Sequence, residues 1–105
     1  MMLSELTYTL KARITLHETK SGGRKNPVYS GYRPSFAFTG VIHYAGEIRL
    51  IGTHELKPGQ SSFATIRLLP ARTFTSGLKN NDTFTINEGD RAIGTGVIEN
   101  VKVES

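Results

Sequence analysis

Residues 8–17 alternate without interruption. Leu10, Ala12, Ile14 and Leu16 fall on one side, and Lys11, Arg13, Thr15 and His17 on the other. A period of two commits this segment to a β-strand with one buried face. Shorter alternating runs follow at 35–44, with Phe36 and Phe38 inward, at 47–51, and at 61–69, where Ala64, Ile66 and Leu68 share a face. A short β-prone run stands at 73–75, another at 83–87, and a last strand at 92–103. No window of helical length carries a 3.6-residue period, so no helix is expected. Turn signals separate the runs: Ala45-Gly46, Pro58-Gly59 with type II chemistry, the left-handed-tolerant stretch at 77–82, and Glu88-Gly89-Asp90. Regularly spaced short strands with turns between them predict an all-β barrel or sandwich. Gly40, Gly94 and Gly96 sit inside strand patterns, where glycine marks a bulge, a corner or strong curvature. They favour the closed barrel.

The chain of 105 residues fits one domain with its own core. It has no cysteine, which excludes disulfides, cysteine-bearing zinc sites and thiol catalysis. No apolar run is long enough for a membrane helix, and the first residues lack the profile of a signal peptide. These features predict a soluble cytoplasmic protein. The net charge of +4 favours acidic partners, nucleic acid among them.

That charge is concentrated in residues 21–38. Gly22, Gly23 and Gly31 permit positive φ there, and Pro27 and Pro34 extend the residues before them. Arg24, Lys25 and Arg33 add positive charge, with Tyr29 and Tyr32 interleaved, and no Asp or Glu occurs between Thr19 and Gly46. Cations neutralise phosphates and tyrosine rings stack on bases or ribose. The alternative is that the tyrosines pack the loop onto the barrel while the charges sit in water. Packing is the better reading for the tyrosines; Arg24 and Lys25 leave both readings open.

No catalytic chemistry is apparent. The sequence has no phosphate-binding loop of the NTPase kind and no nucleophile elbow, and Gly94-Thr95-Gly96 is followed by no helix. His17, His43 and His54 lack metal-ligand spacing. The expectation is a chain that is not an enzyme and binds no metal or cofactor.

Several ordered motifs carry a resemblance. Gly22-Gly23-Arg24-x-x-Pro27 is followed by Gly31-Tyr32-Arg33-Pro34-x-Phe36-x-Phe38, then Gly46-x-Ile48-x-Leu50 and Pro58-Gly59. The closing signature is Phe84-x-Ile86-x-Glu88-Gly89-x-Arg91-x-x-Gly94-x-Gly96-Val97. Together they resemble the third, C-terminal domain of elongation factor Tu over residues 10–101. The resemblance implies a six-stranded antiparallel β-barrel without chemistry of its own. In that family the domain packs on the GTPase domain, contacts the T-stem backbone of aminoacyl-tRNA and touches the exchange factor Ts. Glu88 and Gly89 match positions near the tRNA backbone. The glycine amide can donate to a phosphate or ribose oxygen, and a carboxylate can accept from a ribose 2′-hydroxyl. Ser35 stands where the family usually has Gln, Ala45 where it has Thr, and Lys25 where it has His. Residues 39–45 run slightly longer, and 79–83 read as an insertion.

Neither a GTPase domain nor a second barrel lies in this sequence. The expectation is therefore a single stand-alone barrel spanning 1–105, with no GTP bound by this chain. Its first reading is a module docking on a protein of the elongation machinery: a GTPase-like factor, an exchange factor or a protein that targets the factor. The alternative is an RNA-binding module that grips the backbone of a tRNA-like stem. A relic of a longer factor is a third reading. The candidate partner- or RNA-binding residues are Arg24, Lys25, Tyr32, Arg33, Glu88, Gly89 and Arg91.

Overall fold

The computed structural model describes residues 7–38, 42–69 and 78–104. Eight strands follow in chain order: β1 (Thr7–Leu16), β2 (Val28–Tyr29), β3 (Ser35–Ala37), β4 (Tyr44–Ile51), β5 (Glu55–Leu56), β6 (Ser61–Leu68), β7 (Thr83–Glu88) and β8 (Arg91–Glu104). Six of them close an antiparallel barrel in the order β1-β6-β4-β3-β7-β8, and β2 with β5 forms a separate two-stranded ribbon. The closed all-β barrel that the strand pattern favours, with the six antiparallel strands that the resemblance implies, is the observed fold.

Strict alternation on β1 buries Tyr8, Leu10, Ala12, Ile14 and Leu16 inside the barrel. They meet Ala64, Ile66 and Leu68 from β6, Ile48 from β4, Phe36 from β3, Phe84 and Ile86 from β7, and Ile93 and Ile98 from β8. Phe36 and Phe84 stack edge to face with centroids 6.0 Å apart, the arrangement that the ring quadrupoles favour. Closing the sheet on itself gives each of the six strands a neighbour on both sides.

The glycines in β8 work by omission. A Cβ on Gly96 would lie 2.1 Å from the Phe84 ring, and one on Gly94 would lie 2.7 Å from the Thr15 carbonyl oxygen. β8 is also bulged: the register with β7 shifts between Ile86 and Asn87, and that with β1 between Lys11 and Ala12. The first shift leaves Ile93 and Gly94, consecutive residues, both buried. Bulges of this kind bend a strand and let it wrap a narrow barrel.

The fold corrects several details. Residues 35–44 are not one strand. β3 ends at Ala37, and β4, which begins at Tyr44, pairs back on it through Ser35 with Ala45 and Phe36 with Tyr44. The apolar residues around the reversal made the run look continuous; Gly40 lies outside the described residues. Ala45-Gly46 is not a turn but the start of β4. Gly46 is glycine because a Cβ there would lie 2.9 Å from the Phe36 ring. The Pro58-Gly59 turn forms as expected, closed by Gln60 N–H donating to the Lys57 carbonyl at 3.0 Å, with φ of 88° at Gly59. One 3-10 turn, Thr19–Ser21, appears where no helix was expected. The 73–75 run lies outside the described residues.

Candidate partner-binding surface

The loop between β1 and β3 crosses one end of the barrel. It leaves the 3-10 turn through Gly22, and Gly23 is drawn against the chain behind it, its N–H donating to the Glu18 carbonyl at 3.0 Å. Gly23 has no positive φ, contrary to the sequence expectation. A Cβ there would lie 2.2 Å from the His17 carbonyl oxygen, so its role is close approach. Val28 is buried, and β2 pairs with β5. A second turn closes through Tyr32 N–H to the Tyr29 carbonyl at 3.1 Å, with Gly31 at φ 100° in the third position. Gly31 and Tyr32 then bond to Ile48 of β4. This lays Tyr32 and Arg33 along the barrel wall before β3 begins.

The other half of the site is the β7–β8 hairpin. Glu88 pairs with Arg91 across a two-residue loop whose first member, Gly89, has φ 59°. Gly-first loops of this kind match the right-handed twist of the strands they join.

The two halves meet at Glu88. Its Oε2 accepts hydrogen bonds from Arg24 Nη1 and from the Tyr32 hydroxyl, and its Oε1 accepts from Arg91 Nη2 at 3.3 Å. Arg24 also donates from Nε to the Asn26 carbonyl at 3.2 Å, and its guanidinium lies 4.8 Å above the Tyr32 ring centroid. The side chains of Arg24 and Glu88 are only 22% and 30% exposed. Burial pushes the Glu88 carboxyl up, but hydrogen bonds from Tyr32 and Arg24, with the charge on Arg24, outweigh it and hold the group below the usual range. Burial and the same carboxylate push the Tyr32 hydroxyl up, so it stays a donor. Arg24, Tyr32 and Glu88 therefore form a latch between the basic loop and the last hairpin.

The other candidates are arranged differently. Lys25 is exposed and makes no ion pair among the described residues. Arg33 is 77% exposed and lies 3.5 Å from Glu47 Oε2. Glu47 Oε1 accepts from Arg49 Nε at 3.1 Å, and that bond first of all holds its carboxyl below the usual range. The acid-free stretch is thus balanced by carboxylates from β4 and β7. Tyr32, Arg33, Glu88 and Gly89 share the wall of a surface depression of about 350 Å³ with Ser35 and Ala45, two of the positions that depart from the resemblance. Pro34 and Asn87 complete it. Arg24 and Arg91 join this surface through Glu88, and Lys25 follows Arg24 in the chain. Nothing in the sequence pointed to Glu47 as the partner of Arg33. Ser35 and Ala45 were visible only as departures.

The family model described as the elongation factor Tu C-terminal domain matches residues 5–102. The chain belongs to that family. It is a non-catalytic, translation-related barrel domain, like the other domains of this kind. Among the described residues no group of three or more His, Cys, Asp and Glu side chains is placed to hold a metal ion. None of the described helices is long and apolar enough to cross a membrane.

Proposed function

We propose that this elongation factor Tu-like barrel docks on a protein partner of the elongation machinery: a GTPase-like factor, an exchange factor or a protein that targets the factor. It would act in the cytoplasm, where that machinery works. The docking surface is the depression between the Tyr32–Arg33 segment and the Glu88–Gly89 hairpin. The supporting observation is the latch. A phosphate needs an unpaired cation, and a ribose hydroxyl needs a carboxylate oxygen with capacity to accept. Arg24 and Glu88, which would supply these, are already paired with each other, and Glu88 also holds Tyr32 and Arg91. What remains is a shaped, mostly neutral surface rimmed by charges, which suits a protein better than a polyanion.

The second reading is contact with the backbone of a tRNA-like stem. It draws on the exposed Lys25 and Arg33 and on the Gly89 amide. With so few free cations, such binding would be weak and strongly salt-dependent. A pull-down with the tagged chain separates the two readings, the lysate being divided into nuclease-treated and untreated halves. A defined protein that persists after nuclease, and is lost with Arg33→Glu, supports protein docking. Enriched tRNA, with protein partners vanishing on nuclease treatment, overturns it in favour of RNA.

A further inference from the structure

The antiparallel register fixes which side chains share the outside of the wall made by β4, β6, β1 and β8. Ile51 lies opposite Phe63, Phe63 opposite Arg13, and Arg13 opposite Val97. One step along the strands, Thr65 lies opposite both Arg49 and Lys11. A step further, Arg67 lies between Thr9 of β1 and Glu47 of β4. Neighbouring strands are ~4.8 Å apart and same-face residues on one strand ~7 Å apart, so one extended segment can cross these positions together.

No outward position of β1 or β6 holds a carboxylate, and the β4 carboxylate beside them, Glu47, is already paired with Arg33 and Arg49. Lys11, Arg13 and Arg67 are exposed and make no ion pair among the described residues. Among them stand Ile51, Phe63 and Val97, exposed by 44%, 43% and 42%. An aromatic and aliphatic centre with a basic border is the anatomy of a protein-binding patch. Its charge calls for an acidic partner and its centre for apolar side chains. Nucleic acid fits it less well. Ile51 and Val97 have no counterpart on a phosphate–sugar backbone, and Lys11 Nζ lies over the Phe63 ring, 5.9 Å from its centroid, where a base would stack. A second copy of the chain would set the same cations against each other.

We infer that the β6–β1 face binds an acidic protein segment with interleaved apolar side chains, whose carboxylates meet Lys11, Arg13 and Arg67 and whose apolar groups cover Phe63. The inference rests on reading the domain as a protein-docking module, but none of these residues lines the depression at Glu88. The face would give the domain a second contact, centred on Phe63 and adjoining the first where Arg67 shares a depression with Arg33 and Ala45.

The test is a fluorescence-anisotropy titration of the full chain with three short probes: a peptide alternating Glu with Phe and Val, an oligoglutamate of equal charge, and an oligouridine RNA. The alternating peptide should bind about tenfold more tightly than oligoglutamate. Phe63→Ser should remove that advantage, and Lys11→Glu with Arg13→Glu should abolish binding, each variant keeping its circular dichroism spectrum. Lys20→Glu, in the exposed 3-10 turn, should leave the peptide affinity unchanged. Equal binding of the two peptides, insensitivity to Phe63→Ser, or tighter binding of the RNA on this face would overturn the inference. If these occur while the nuclease-resistant partner still depends on Arg33, only this second face is refuted and the depression stands.

Discussion

Replacing Arg24 with Met removes the guanidinium from the latch and keeps most of the aliphatic stem. The loss can be sized from its contacts. A hydrogen bond to a charged group contributes ~1.5–3 kcal/mol, and the low end applies here because both partners are partly exposed. The guanidinium over the Tyr32 ring adds ~0.5–1 kcal/mol. Glu88 keeps the Tyr32 hydroxyl and Arg91 as donors, so no orphaned carboxylate adds to the cost. The variant should lose about 2 kcal/mol, read as a lower urea midpoint at unchanged m and as a Tm lower by ~10 °C. The loss should depend on pH. The Glu88 carboxyl is held below its ordinary value of 4.5, so its contribution is fully present above that value and fades as pH falls through the lower folded pKa. The gap between wild type and variant should therefore narrow in acid, to what the Tyr32 ring contact contributes. A loss at pH 7 below ~0.5 kcal/mol, the range of ordinary surface substitutions, would refute the latch. So would a gap that stays constant on acidification.

Three further outcomes follow from the same geometry. Gly96→Ala places a methyl 2.1 Å from the Phe84 ring and should cost ~2 kcal/mol or more in urea unfolding, since the ring has to leave its packed position. Gly31→Ala meets no atom within 4 Å but holds φ at 100°, so its cost of ~1 kcal/mol should be conformational and appear without structural change in the two-dimensional NMR spectrum. Lys25→Glu with Arg33→Glu should leave thermal stability within ~0.5 kcal/mol of wild type, since Lys25 is exposed without an ion pair among the described residues and Arg33 is largely exposed. A large destabilisation would mean that these cations hold the fold together.

The barrel was legible because burial on a strand has a period of two, and residues 8–17 keep it without a fault. The errors came where one residue type serves two purposes. Gly46 looks like a turn glycine, yet it is glycine because the Phe36 ring occupies the space of its Cβ. Phe36, Phe38 and the apolar residues after them read as one strand, although the chain reverses and pairs β3 with β4. The site was half legible. The basic loop and the Glu88 hairpin each stood out, but 64 positions separate Arg24 from Glu88, and only closure of the barrel brings them together. In sequence Arg24 and Lys25 look alike. In the fold the first turns in to a carboxylate and the second turns out to solvent. The β6–β1 face escaped notice because its cations and its phenylalanine are scattered through two distant strands, each unremarkable alone.

The central claim is that the surface beside the latch meets protein rather than RNA. A photo-crosslinking amino acid in place of Lys25 tests it most directly, since that side chain is exposed and makes no ion pair among the described residues. Irradiation in cells should yield adducts that resist nuclease and are destroyed by protease, each containing a protein partner. Adducts that collapse on nuclease treatment and carry tRNA would contradict the claim.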